Sequence, residues 1–178
     1  MDIKKEAVGL RIFLGSLVTE LIKLYSKITV NAIIYRIGQK PGEIIAEQIL
    51  ERYNKTEEDP FDNPSAAFNL LENSVTQLFD EEQIGLITED DKVTIKIKNV
   101  CPFRQVIMGR EDFDFGGTLC QFSSGYFESA LKILTDYNVE YSHDPKETSD
   151  EFCVINMVFR KKPELSTPPT EDLDSLES

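Results

Sequence analysis

The chain has 178 residues, 40% of them apolar and 29% charged, with a formal net charge of −13. That length suits one domain with a real core. The acidic balance argues against a binder of phosphate backbones and against electrostatic docking on an anionic membrane.

Leu10, Phe13, Leu14, Leu17, Val18, Leu21, Ile22 and Leu24 recur three or four residues apart. This spacing predicts an amphipathic first helix over residues 8–25. Arg11 interrupts its apolar run and no small-residue cleavage site follows, so it reads as a helix and not as an export signal. No run reaches the length of a membrane span. A second helix is expected over residues 30–37, broken by the "GQKPG" of residues 38–42, two glycines and a proline being turn formers. A third helix then carries Ile44, Ile45, Ile49 and Leu50 toward Tyr53. After the polar "KTEEDPFDNP", Ser65 is expected to cap a helix bearing Phe68, Leu70, Leu71, Val75 and Leu78.

From Ile84 the period changes to two. Val93, Ile95 and Ile97 alternate with Thr94, Lys96 and Lys98, so "IGLITEDDKVTIKIKNV" reads as two strands joined by an acidic turn. "GREDFDFGG" reads as a loop, either a lid over a pocket or a surface loop anchored by its two phenylalanines. Phe122, Tyr126, Phe127, Ala130, Leu131 and Leu134 then mark a helical face that Cys120 opens. Residues 137–141 and 151–160 form the closing hairpin. The expected class is α+β: N-terminal helices on a small antiparallel sheet, with a closing helix and β-hairpin. Residues 1–162 make a single domain. Residues 163–178, with five acids and no Lys or Arg, make a disordered acidic tail.

Three cysteines give no even disulfide framework. With no export signal the thiols are expected to be reduced and the protein cytoplasmic. The only histidine, His143, stands three residues after Glu140 and ten before Cys153. A hairpin brings its arms within about 5 Å, so these three can converge, and Cys120 can approach from the preceding helix. Two thiolates, an imidazole and a carboxylate suit tetrahedral zinc, and four protein ligands would make it structural. The alternative stays open: a solvated surface histidine and buried cysteines acting as small hydrophobes. Cys101 has no partner at metal-ligand spacing and reads as a buried inert thiol.

"CQFSSGYFESAL", "VEYSH" and "FCVINMVF" resemble the 4-vinyl-reductase-type small-molecule-binding domain. That fold family includes TRAPP vesicle-tethering subunits. "IIYRIGQKPGEIIAEQIL" is similar to its Gly-x-x-x-Gly helix region. In metal-binding members a Cys before the helix, a Glu ending the next strand, a Cys three residues on and a Cys in the last strand hold Zn2+. The resemblance therefore assigns those roles to Cys120, Glu140, His143 and Cys153, with His143 replacing a Cys.

It further implies an internal pocket for an aromatic, hydrocarbon or acyl ligand. Phe103, Ile107, Met108, Phe113, Phe115, Phe122, Tyr126, Phe127 and Met157 are candidate lining, and Arg104, Arg110 or Tyr126 candidate anchors; each is equally a candidate core residue. The chain then reads as a zinc-stapled sensor or carrier of an apolar small molecule, acting through a partner protein and dimerising with itself through the N-terminal helices. The alternatives are a TRAPP-like dimeric scaffold and a vinyl reductase or accessory of tetrapyrrole synthesis. Neither a dinucleotide fingerprint nor an iron–sulfur cysteine set supports a reductase. One histidine leaves no nucleophile–base pair, so catalysis is not expected.

Overall fold

The computed structural model describes residues 3–76 and 78–162; the expected acidic tail lies outside the described residues. Helix α1 (Ile3–Leu24) is followed by α2 (Lys27–Arg52), which starts where the Ser26 hydroxyl accepts from Thr29 N at 3.2 Å. The expected break at residues 38–42 does not occur: α2 runs unbroken through Pro41. A proline inside a helix costs about 3 kcal/mol, so something tertiary must offset it.

The offset is contact with α5 (Cys120–Leu134). A Cβ on Gly38 would lie 2.1 Å from Phe122 O, one on Gly42 2.3 Å from Tyr126 O, and one on Gly125 2.0 Å from Tyr35 O. These glycines let two backbones touch; they do not make a turn.

Helix α3 (Pro64–Val75) is capped by Asn63, not by Ser65 as expected. The Asn63 side-chain oxygen accepts from Ser65 N and Ala66 N at 2.9 and 3.2 Å, and Pro64 opens the helix.

Strands β1 (Asp80–Thr88) and β2 (Lys92–Val100) form the first hairpin, and β3 (Tyr137–Asp144) and β4 (Cys153–Lys161) the second. They join as one antiparallel sheet in the order β1-β2-β4-β3. Period two sends Ile95, Ile97 and Asn99 of β2 to the helical side, with Val139, Tyr141 and His143 of β3 and Cys153, Ile155, Met157 and Phe159 of β4. There they meet Phe127, Ala130, Leu131 and Leu134 of α5 in the main core. The class is α+β, as expected.

Short helix α4 (Arg104–Met108) and the following loop pack with α1 and α2 in a second cluster around Val18, Val30, Ile34, Ile107 and Phe113. The broad apolar face of α1 is mostly not core. Leu10, Phe13, Leu17 and Leu24 of α1 are 43–73% exposed, and Ile33, Ile37 and Ile44 of α2 are exposed as well.

Candidate functional site

At one end of the sheet the C-terminal ends of β2 and β3 and the start of β4 lie side by side, and the first turns of α5 cover them. Gly116, at φ +78°, turns the chain into α5, a left-handed conformation that glycine adopts at no steric cost. Its N–H donates to the Cys120 Sγ at 3.2 Å, and a Cβ there would press on the His143 ring at 3.2–3.3 Å.

Beneath this turn lies a cavity of about 80 Å³, lined among others by Asn99, Ser123, Ser124, Tyr141 and Ile155. All three cysteines of the chain and its single histidine also line it.

Asn99 and Ser123 are 1% and 3% exposed. The Asn99 amide nitrogen donates to the Tyr141 hydroxyl at 3.1 Å, while Asn99 Oδ1 and Ser123 Oγ have no partner among the described residues. Thr148 gives its hydroxyl proton to Asp144 O at 2.8 Å. Its contact of 3.3 Å with His143 Nε2 must therefore be donated by the imidazole, which leaves Nδ1 as an acceptor. Burial, the largest influence, pushes the histidine below its usual value. Burial also pushes the Cys101 and Cys153 thiols up, and Cys120 to about 12. The site thus disfavours charge of either sign, and its thiols stay protonated and weakly nucleophilic.

The expected zinc set is not assembled. Cys120, His143 and Cys153 meet at the cavity, but Glu140 does not. In the β3–β4 register His143 pairs with Ile155 and Glu140 with Val158; three steps along a strand reverse the face. Glu140 is exposed on the outer side of the sheet. Among the described residues no group of three or more His, Cys, Asp or Glu side chains is placed to hold a metal ion.

A cation already sits beside Cys153. Arg104, 4% exposed, donates from Nε to Asp150 O at 2.9 Å, from Nη2 to Ser149 O, and from Nη1 to Cys153 Sγ at 3.3 Å. Its guanidinium lies 4.6 Å from the Phe115 ring centre, and Phe115 stacks on His143. The residues present do not fit a zinc staple.

The residues expected to line an apolar pocket lie elsewhere. Phe127, Tyr126 and Met157 are main core, with Phe103 and Phe122 packed against it. Ile107 and Phe113 belong to the second cluster, and Met108 is 49% exposed. Arg110 binds α1, through Ser16 Oγ at 2.8 Å and through Thr19 Oγ1 and Ile12 O at 3.3 Å. The "GREDFDFGG" segment is thus the anchored surface loop, held by Phe113, Phe115 and Arg110. Sequence reasoning missed Asn99 and Ser123, set Cys101 aside as an inert thiol, and named Arg104 as a ligand anchor rather than as the partner of Cys153 and the β3–β4 loop. The first two were legible, as polar residues on inward positions of a strand and a helix.

No protein-family model and no curated protein matches the chain. Solved structures that resemble it include two of different kinds. One is a trafficking protein particle complex subunit 3 from Naegleria fowleri, described as covalently bound to palmitic acid. It gives a TM-score of 0.55 at 15% identity, covering 92% of this chain and 99% of that one. The other is the phenol-responsive sensory domain of the transcription activator PoxR with phenol, at TM-score 0.61 and 14% identity over 84% of this chain and 74% of that one. The fold is TRAPP-like. Neither neighbour is described as a 4-vinyl reductase, and that narrower resemblance is not carried by these structures. Among the described residues no helix is long and apolar enough to cross a membrane.

Proposed function

We propose that this chain is a ligand-responsive assembly module and not an enzyme. Two copies join through the apolar faces of α1 and α2, and occupancy of the cavity is passed to that interface. The observation that carries this reading is the position of α5. One side of its first turns lines the cavity through Cys120, Ser123 and Ser124. Its backbone at Phe122 and Tyr126 lies against Gly38 and Gly42 of α2 with no room for a Cβ. A packed contact without slack transmits a shift. Helix α2 also carries Ile33, Ile37 and Ile44 to the surface. A molecule favouring one position of α5 would thereby bias α2 and the dimer.

A second copy is the occupant best suited to these helices. The whole chain has a net charge of −13, but in α1 and α2 Lys and Arg outnumber Asp and Glu. Two acidic copies meet there with the least repulsion. The neighbours support the reading in kind: one is described as a subunit of a complex and the other as a sensory domain.

Sedimentation velocity of the full chain at micromolar concentration tests the assembly. A dimer is expected for the wild type and a folded monomer for the double variant Leu17→Glu, Ile37→Glu. A wild type still monomeric at 100-fold higher concentration would overturn it.

A second reading, a TRAPP-like scaffold without a ligand, is favoured by the cavity's size. Its volume of about 80 Å³ is roughly half the ~150 Å³ of an engineered cavity that accepts benzene. That reading predicts a partner protein recovered with the chain and no retained small molecule.

A further inference from the structure

The geometry points to a ligand class for the cavity under α5: a small neutral molecule of carboxamide or alcohol type, carrying a donor and an acceptor side by side. This inference rests on the reading that the cavity receives a ligand, and it names the chemistry.

Polarity comes first. Asn99 and Ser123 each turn a polar atom out of solvent contact with no partner among the described residues. Such atoms are normally paired in folded proteins, and here both residues line the same cavity. If the Asn99 amide is rotated by half a turn, its oxygen meets the Tyr141 hydroxyl and its nitrogen becomes the unpaired atom. Either way one amide atom awaits a complement. Ser123 both donates and accepts, and the His143 Nδ1 accepts. A ligand with one donor and one acceptor complements the Asn99 amide and the Ser123 hydroxyl in either arrangement, whereas a hydrocarbon complements neither.

Charge comes second. No Asp, Glu, Lys or Arg lines the cavity among the described residues. The Arg104 guanidinium beside Cys153 is spent on Ser149 O, Asp150 O and the Cys153 thiol. An ion entering would exchange its hydration for neutral dipoles, which is costly.

Size comes last. About 80 Å³ exceeds the 10–15 Å³ that one water needs and falls short of the ~150 Å³ of an engineered cavity that accepts benzene. It suits a molecule of roughly four heavy atoms, below the size of phenol or a fatty acyl chain. Covalent capture by the cysteines is not part of the inference, because buried protonated thiols are poor nucleophiles.

The test titrates acetamide, acetate and phenol into the isotope-labelled full chain and follows the Asn99 side-chain amide and the Ser123 and Ser124 backbone amides by NMR. Acetamide is expected to shift all three saturably. Acetate, of the same shape but charged, and phenol, too large, are expected to leave them unmoved. Ser123→Ala should weaken acetamide about fivefold, the worth of one hydrogen bond. The variant should unfold no earlier than the wild type, since it loses only an unpaired hydroxyl.

Acetamide shifts that never saturate, or that ignore Ser123→Ala, would mean that water alone fills the space. Saturable phenol or acetate binding at these residues would overturn the ligand class while the module reading survives. Silence with all three probes, combined with a confirmed dimer, would overturn the inference and favour the scaffold.

Discussion

Glu81 provides the sharpest quantitative prediction. It lies on β1 opposite Asn99, on the side of the strand that faces the helices. As a residue it is half-buried, but both carboxyl oxygens are out of solvent contact and have no partner among the described residues. Burial, reinforced by Glu72, pushes its carboxyl from an ordinary 4.5 up to about 8. The folded chain therefore keeps this proton up to about pH 8, while the unfolded chain releases it near 4.5. Between these values the native state binds the extra proton, so stability falls as pH rises. At about 1.4 kcal/mol per unit the loss is about 3 kcal/mol at pH 7 and about 5 kcal/mol above pH 8.

Glu81→Gln copies the neutral acid in shape and cannot ionise. Urea unfolding of wild type and variant at pH 5, 7 and 8.5 isolates the effect, because other titrating groups cancel in the difference. The variant should gain less than about 1 kcal/mol at pH 5, about 3 at pH 7 and about 5 at pH 8.5. A difference that stays constant across the three pH values would refute the assignment of Glu81 as a buried neutral acid.

Three further outcomes follow from the packing. Gly125→Ala drives a methyl to within 2.0 Å of Tyr35 O and should cost about 3 kcal/mol in urea unfolding, the range for overpacking. Arg104→Met leaves Ser149 O and Asp150 O without their donor and should cost about 3 kcal/mol. It should also raise amide exchange over residues 144–152, and Arg104→Lys should not rescue it, because an ammonium lacks the planar fork. A strong chelator should leave the melting temperature unchanged, and native mass spectrometry should find the bare chain mass; one zinc per chain would overturn the misfit argued from Glu140 and Arg104.

How far the sequence could be read depended on whether a feature is local. The alternation of residues 93–98 announced β2, and the same alternation places Asn99 inward with Ile95 and Ile97. Strand parity also held the correction to the metal set. Glu140 and His143 stand three apart on one strand, so they face opposite sides, whatever their suitability as zinc ligands. Cys120, His143 and Cys153 line one cavity, and Cys101, read as isolated, lines it too.

What could not be read is what depends on a distant partner. "GQKPG" has the composition of a turn, and only the backbone of α5 against Gly38 and Gly42 reveals those glycines as contact points within a helix. The α1 periodicity declared an apolar face without saying what covers it, and within one chain most of that face stays uncovered. Arg104 gave no local sign of its role, because its partners lie some 45–50 residues along the chain. These non-local features share one consequence. Close packing ties α5 to α2, and Arg104 ties α4 to the loop between β3 and β4, so the cavity is bounded by elements held from outside it. A site built this way loses its shape when a remote glycine or arginine is changed, even though the residues lining it are untouched.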